Sequence, residues 1–141
     1  MASLFEFPKY IGLDVSKTAI KRCIERCRNN PAGKSFLLYN PEDFNPLNAE
    51  LTLSLDVIYH LVEDNVFEVY MKHLFASSYR YVIIYSTDID ETTQFSHIKH
   101  RKFTDWIPKN LPSWKLIEYT TNLYPHETEA DFYIFMRSPH D

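Results

Sequence analysis

Glycine is almost missing from this chain. Two occur in 141 residues, Gly12 and Gly33, where average usage of about 7% would supply roughly ten. No Gly-x-Gly stands anywhere in the sequence, which excludes a backbone loop of the kind that cradles phosphates or nucleotides. Cysteine is scarce as well. Cys23 and Cys27 sit four apart with Ile20 and Ile24 at helical spacing, and they read as small packed thiols. A metal or redox pair would need further cysteines that the chain does not have. The start, MASLFEFPKY, places Glu6, Pro8 and Lys9 where a secretory signal needs an apolar run. With so few cysteines, the expected setting is reducing and cytoplasmic. Long apolar runs are missing too. YVIIY, Tyr81 to Tyr85, is strand length and far short of a membrane span, so no membrane partner is expected. An excess of basic charge is also absent. The formal net charge is −4, with both signs interspersed and no basic run longer than Lys99 to Lys102. No nucleic-acid partner is expected on that ground.

What is present is apolar and aromatic: 45% hydrophobic residues, of which Tyr and Phe make up most of a 16% aromatic share. That suffices for one real core, and the length suggests one domain. Tyr10 to Val15 is a nearly continuous apolar run of strand type. Ser16 can cap a helix over roughly 17–28, and the turn residues NNPAGK close it. SFLLY (35–39) and ELTLSLDVI (50–58) are further strands. Asp64 or Asn65 can cap a second helix through about Phe75, and RYVIIYS (80–86) is a fourth strand. A polar loop fills 87–102. Thr104 can cap a short helix in which Pro108 is tolerable only in the first turn. WKLIEYT (114–120) and DFYIFMR (131–137) have no helix between them and read as an antiparallel pair at one sheet edge. The remaining alternation of strand and helix predicts parallel units in a layered α/β fold. Core and sheet-face packing explains the strand aromatics Tyr79, Tyr81, Tyr85, Phe132, Tyr133 and Phe135.

YIGLDVS, FLLYNPEDF, LTLSLDVIYHL and YVIIYS, followed by the closing pair WKLIEYT and DFYIFMR, stand in an order that resembles a class I S-adenosylmethionine-dependent methyltransferase from its second strand onward. HIKHRKFTDWI resembles the stretch that follows the fifth strand in small bacterial members. The resemblance implies a three-layer Rossmann-like sandwich, truncated at its N-terminal side, with parallel inner strands and an antiparallel C-terminal pair. It implies that Asp14 with Val15 meets the cofactor ribose, that Asn40 or Asp43 meets the adenine, and that Asp56 lies under the cofactor. The family's first strand and glycine loop have no counterpart in this sequence. That loop admits the methionine end of the cofactor because only glycine lets the backbone approach so closely. S-adenosylmethionine is therefore expected to bind weakly or not at all to the isolated chain.

Each candidate residue has a plainer reading beside it. Asp14 either grips a ribose at a strand's carboxyl end or caps the next helix, as Ser16 also can. Asp56 is an acid within an apolar run and belongs at a water-facing strand end. His60, His97 and His100 are the candidate acid/base groups for a small-molecule acceptor with an amine or hydroxyl, or else solvated loop residues. Tyr59 and Arg101 are the candidate substrate contacts, Arg101 for an acidic acceptor. His97-x-x-His100 lacks a third metal ligand at suggestive spacing. Two functions follow. One is a methyltransferase, with its missing part supplied by another chain. The other is a non-catalytic, self-associating domain that binds a small molecule or a protein. In the family the first strand lies between YIGLDV and LTLSLDV. Three repairs suggest themselves: direct pairing of those two strands, insertion of Ser3 to Phe7, or cover from a second copy. A homo-oligomer burying the face near residues 1–20, with Leu4 and Phe5 in the contact, is the expected outcome.

Overall fold

Short apolar runs form the strands of the chain, and a polar residue directly behind the first of them, Ser16, caps the first helix. The structure, a computed structural model, describes residues 9–139. The chain divides into two compact units, the first ending at Phe44 and the second beginning at Asn45.

The first unit is a βαβ turn. Strands β1 (Tyr10–Asp14) and β2 (Lys34–Leu38) are parallel, with Tyr10 beside Lys34 and Asp14 beside Leu38. Helix α1 (Lys17–Arg26) connects them, and the Ser16 hydroxyl accepts the Ala19 N–H at 3.2 Å as its N-cap. Cys23 and Cys27 are free and half-buried, close enough to Tyr10 to raise its pKa beyond what burial does. Helix α1 therefore lies over the face that carries Tyr10, Gly12 and Phe36. The two glycines are both committed. A Cβ at Gly12 would stand 2.8 Å from the Phe36 ring, and Gly33 takes a left-handed φ of 69° in the turn into β2.

The second unit is a four-stranded sheet in the order β3-β4-β6-β5, formed by β3 (Ala49–Leu55), β4 (Ser78–Ser86), β5 (Trp114–Thr120) and β6 (Asp131–Arg137). β3 and β4 are parallel, and β6 runs antiparallel to both β4 and β5. Helices α2 (Asp64–Ala76) and α3 (Phe103–Asn110) pack on one face. There Val82 and Ile84 meet Tyr133 and Phe135 in register. Phe67, Met71, Phe75, Phe103 and Ile107 close over them. The rings of Phe75 and Phe135 are 5.7 Å apart, and those of Phe103 and Tyr133 5.0 Å. Burying each such side chain stabilises by about 1.5–3 kcal/mol, so this face holds the unit together. On the opposite face Leu53, Ile83 and Ile134 form a row in register and none of the three is fully buried.

Two local expectations need correction. Thr104 is not the cap of α3: the helix starts at Phe103, and Asp88 supplies the cap from across the loop. Pro108 therefore falls in the second turn, where it deletes one N–H from an eight-residue helix that tertiary packing sustains. Neither Asp64 nor Asn65 caps α2, because the helix begins at Asp64 itself and Glu63 precedes it without a side-chain bond. Among the described residues, β1 has β2 as its strand partner and β3 has β4. Ser3 to Phe7, with Leu4 and Phe5, lie outside the described residues. No helix among those residues is long and apolar enough to cross a membrane.

Candidate functional site

Parallel strands put their carboxyl ends, and the loops leaving them, on one edge. In the first unit that edge carries Asp14 as the last residue of β1 and Val15 after it, and Asn40 and Asp43 after β2. The Tyr39 N–H donates to the Asp14 carbonyl at 2.8 Å and ties the two strand ends together. One Asp14 carboxylate oxygen, Oδ1, accepts the Ser16 N–H at 2.7 Å. Both readings of Asp14 are thus compatible: one oxygen holds the turn, while the exposed carboxylate keeps a second oxygen. The Asn40 side chain accepts the Glu42 N–H at 3.2 Å and caps a 3-10 turn, Pro41–Asp43.

The second unit has its own strand-end cluster. Asp56 follows β3 in a left-handed conformation, φ 61°, and its N–H donates to the Tyr85 carbonyl. Its carboxylate accepts the Tyr59 hydroxyl at 2.8 Å. Burial, and after it this hydrogen bond to an acid, push the Tyr59 phenol up to about 12, so Tyr59 stays a donor. The His60 ring lies 4.4 Å from that of Tyr59, and His100 lies 6.5 Å away on another segment. The Nδ1 atom of His100 is 2.8 Å from the Thr87 hydroxyl. Tyr59, His60 and His100 therefore come together with Asp56. His97 does not join them; it is exposed and sets its ring against Phe95.

Arg101 takes a different role from the acceptor contact expected of it. Its Nη1 and Nη2 donate to the Leu61 and Val62 carbonyls at 2.6 and 2.8 Å. Its Nε and Nη2 also reach Asp64, and the guanidinium stacks 4.6 Å above the Phe67 ring. All three guanidinium nitrogens already have protein partners, so Arg101 fastens the loop rather than an acceptor. Lys99 completes the clasp: its ammonium bonds Asp64 at 2.7 Å, and its N–H bonds the Tyr59 carbonyl. Hydrogen bonds from Lys99 and Arg101 hold the Asp64 carboxyl below its ordinary value. Ser86 Oγ, buried and without a partner among the described residues, lines a narrow cleft beside Tyr59, Thr87 and Arg101.

Sequence reasoning missed Thr87, Asp64 and Asp88. Each acts on a residue 13 to 37 positions away, and no local pattern announces such a contact. Among the described residues, no group of three His, Cys, Asp or Glu side chains is placed to hold a metal ion.

The donor set of the first unit suits an adenosine. A strand-end carboxylate with a spare oxygen can accept from ribose hydroxyls, and Asn40 with Asp43 stands at the same edge. Among the described residues neither glycine opens the backbone to a ligand, since Gly12 is packed under Phe36 and Gly33 is held in its turn.

The sequence matches no family model and no curated protein. Solved structures do match. The N-methyltransferase NodS from Bradyrhizobium japonicum WM9 aligns with 92% of this chain and 74% of its own length, at 13% identity and a TM-score of 0.72. The methyltransferase domain of bacterial CtHen1 aligns with 94% of this chain and 78% of its own, at 14% identity and 0.71. Magnesium protoporphyrin IX methyltransferase from Synechocystis PCC 6803, with bound SAH, aligns with 91% of this chain at 15% identity and 0.68. This chain spans 64% of that protein's length. At these identities the likeness is one of fold, and the fold of this chain is that of the class I S-adenosylmethionine-dependent methyltransferases.

Proposed function

We propose that this chain is a methyltransferase-like module that holds the adenosine half of S-adenosylmethionine or S-adenosylhomocysteine at the end of β1 and β2. Methyl transfer then requires a glycine-rich segment that these 141 residues do not contain. The observation that carries this reading is the exposed Asp14 carboxylate beside the Asn40 turn, on a fold shared with methyltransferases. Asp14 accepts hydrogen bonds from the ribose hydroxyls through the oxygen that Ser16 leaves open. Asn40 and Asp43 face the adenine edge, and Val15 supplies an apolar contact. When bound, the cofactor supplies an electrophilic methyl group. Within the second unit, His100, with its Nδ1 2.8 Å from the Thr87 hydroxyl, is the candidate acid/base group. Asp56, Tyr59 and His60 stand beside it in the same unit.

Calorimetry with S-adenosylhomocysteine, S-adenosylmethionine and adenosine tests the reading. The expected dissociation constants are weaker than about 10 μM, near −7 kcal/mol, with adenosine retaining most of the affinity. Asp14→Ala should weaken all three by about 1.5–3 kcal/mol, because hydrogen bonds to a charged acceptor are lost. An unchanged affinity in that variant removes Asp14 from the site. Binding much tighter than 10 μM would mean that other residues grip the methionine end. A second reading, self-association, is favoured by a separate observation at the far edge of the sheet.

A further inference from the structure

We propose that the outer edge of β5 is a self-association surface, where two copies of the chain pair antiparallel with Lys115 of each opposite Glu118 of the other. In the order β3-β4-β6-β5, β5 ends the sheet and has β6 as its one strand partner among the described residues. The side chains at this edge are unusually apolar for a surface. Leu116 is 45% exposed, Ile117 49% and Tyr119 50%, and the loop leaving the strand adds Leu123 at 87% and Tyr124 at 64%. Together these five present roughly 500 Å² to water, near the upper end of the largest patch on a typical monomer. Two copies could bury at most roughly 1,000 Å² of this surface, backbone included, which is the lower limit of a specific interface.

The charges at the edge point to a second copy as the partner. Lys115 is in register with Met136, and Glu118 with Ile134. Met136 and Ile134 are two apart on β6 and so point to one face. A register shift between Leu116 and Glu118 marks the bulge that brings Lys115 and Glu118 to that shared face. A twofold axis between residues 116 and 117 then sets Lys115 across from Glu118 twice, with Trp114 across from Tyr119 on the other face. Opposite charges directly across an antiparallel pair stabilise it, and like charges destabilise it. A lone lysine and glutamate would ordinarily discourage edge pairing. Here they satisfy each other in a self-pair, whereas an unrelated strand would have to supply the complement in the same register.

Light scattering and sedimentation of the full chain up to about 100 μM should give twice the 16.8 kDa chain mass, in equilibrium with monomer. Lys115→Glu should weaken the dimer about tenfold or more, as should Glu118→Lys. The double swap Lys115→Glu with Glu118→Lys should return it to within about threefold of the parent. Ile117→Lys should also weaken it, while circular dichroism shows each variant folded. A monomer at the highest concentration overturns the proposal. So does a dimer indifferent to Lys115→Glu and Ile117→Lys, including one that dissociates only on charged substitution at Leu4 and Phe5. Single swaps that weaken the dimer without rescue by the double swap overturn the antiparallel register.

Discussion

Asp56 is held in a backbone conformation that a side chain resists, and three substitutions there separate conformation from contact. Its φ of 61° lies in the left-handed region, which costs an ordinary L-residue about 1–2 kcal/mol. Aspartate and asparagine tolerate it better because their side chains bond locally. The carboxylate also accepts the Tyr59 hydroxyl, a bond worth about 1.5 kcal/mol at a charged acceptor. Asp56→Ala forfeits the bond and meets the full conformational penalty, so it should destabilise by about 2–3 kcal/mol. Asp56→Gly loses the same bond but is at ease at this φ. After the extra unfolded-state entropy of glycine, its net loss should be about 1 kcal/mol. Asp56→Asn keeps an acceptor and the left-handed tolerance, for a loss of about 0.5 kcal/mol. Urea unfolding reads these values as shifts in midpoint at constant slope. The order Asn, Gly, Ala is the test. If alanine is no worse than glycine, residue 56 is not left-handed and the account of this turn fails.

Two further outcomes are expected. Gly12→Ala should lower stability by about 1–2 kcal/mol, because its Cβ would press on the Phe36 ring; Phe36→Leu in the same chain should recover most of that loss, and no recovery would acquit the ring. Asp64 titrates below its ordinary 3.8 in the folded chain, held down by Lys99 and Arg101, so its contribution is present above that value and lost as pH falls through the folded pKa. The melting temperature of the parent should therefore exceed that of Asp64→Asn near neutral pH and converge with it in acid, as pH falls below 3.8 and through the lowered folded pKa. A gap that stays constant throughout would show that the clasp does not depend on the charge.

Local chemistry was readable where it acts over a turn or a strand. Ser16 caps α1 because a hydroxyl three residues from a free N–H is a short-range event, and the apolar runs of β1, β4 and β6 are strands for equally local reasons. The closing antiparallel pair was legible because nothing helical separates its strands. Distant partners were not. Asp88 caps α3 through Thr104, 16 residues on, so a cap sought beside the helix was assigned to the wrong residue. Arg101 has the charge of an anion ligand, yet Leu61, Val62, Asp64 and Phe67 surround it only after folding. His97 and His100 look equivalent in HIKHRK, but only His100 meets Thr87, because segment geometry and not composition decides which ring turns inward.

Among the described strands, the last in chain order is an inner strand of its sheet. Because β6 sits between β4 and β5, the ribosome must deliver residues 131–137 before either neighbour has its partner on that side. Until then the apolar run Tyr81–Tyr85 and the segment Trp114–Thr120 wait with open edges, and Phe75 and Phe103 lack the rings of Tyr133 and Phe135. The second unit must therefore complete its sheet after its other strands have emerged. A chain stopped a few residues short of Arg137 would lose the middle of the sheet, not a fringe, and would emerge with exposed edges prone to aggregation.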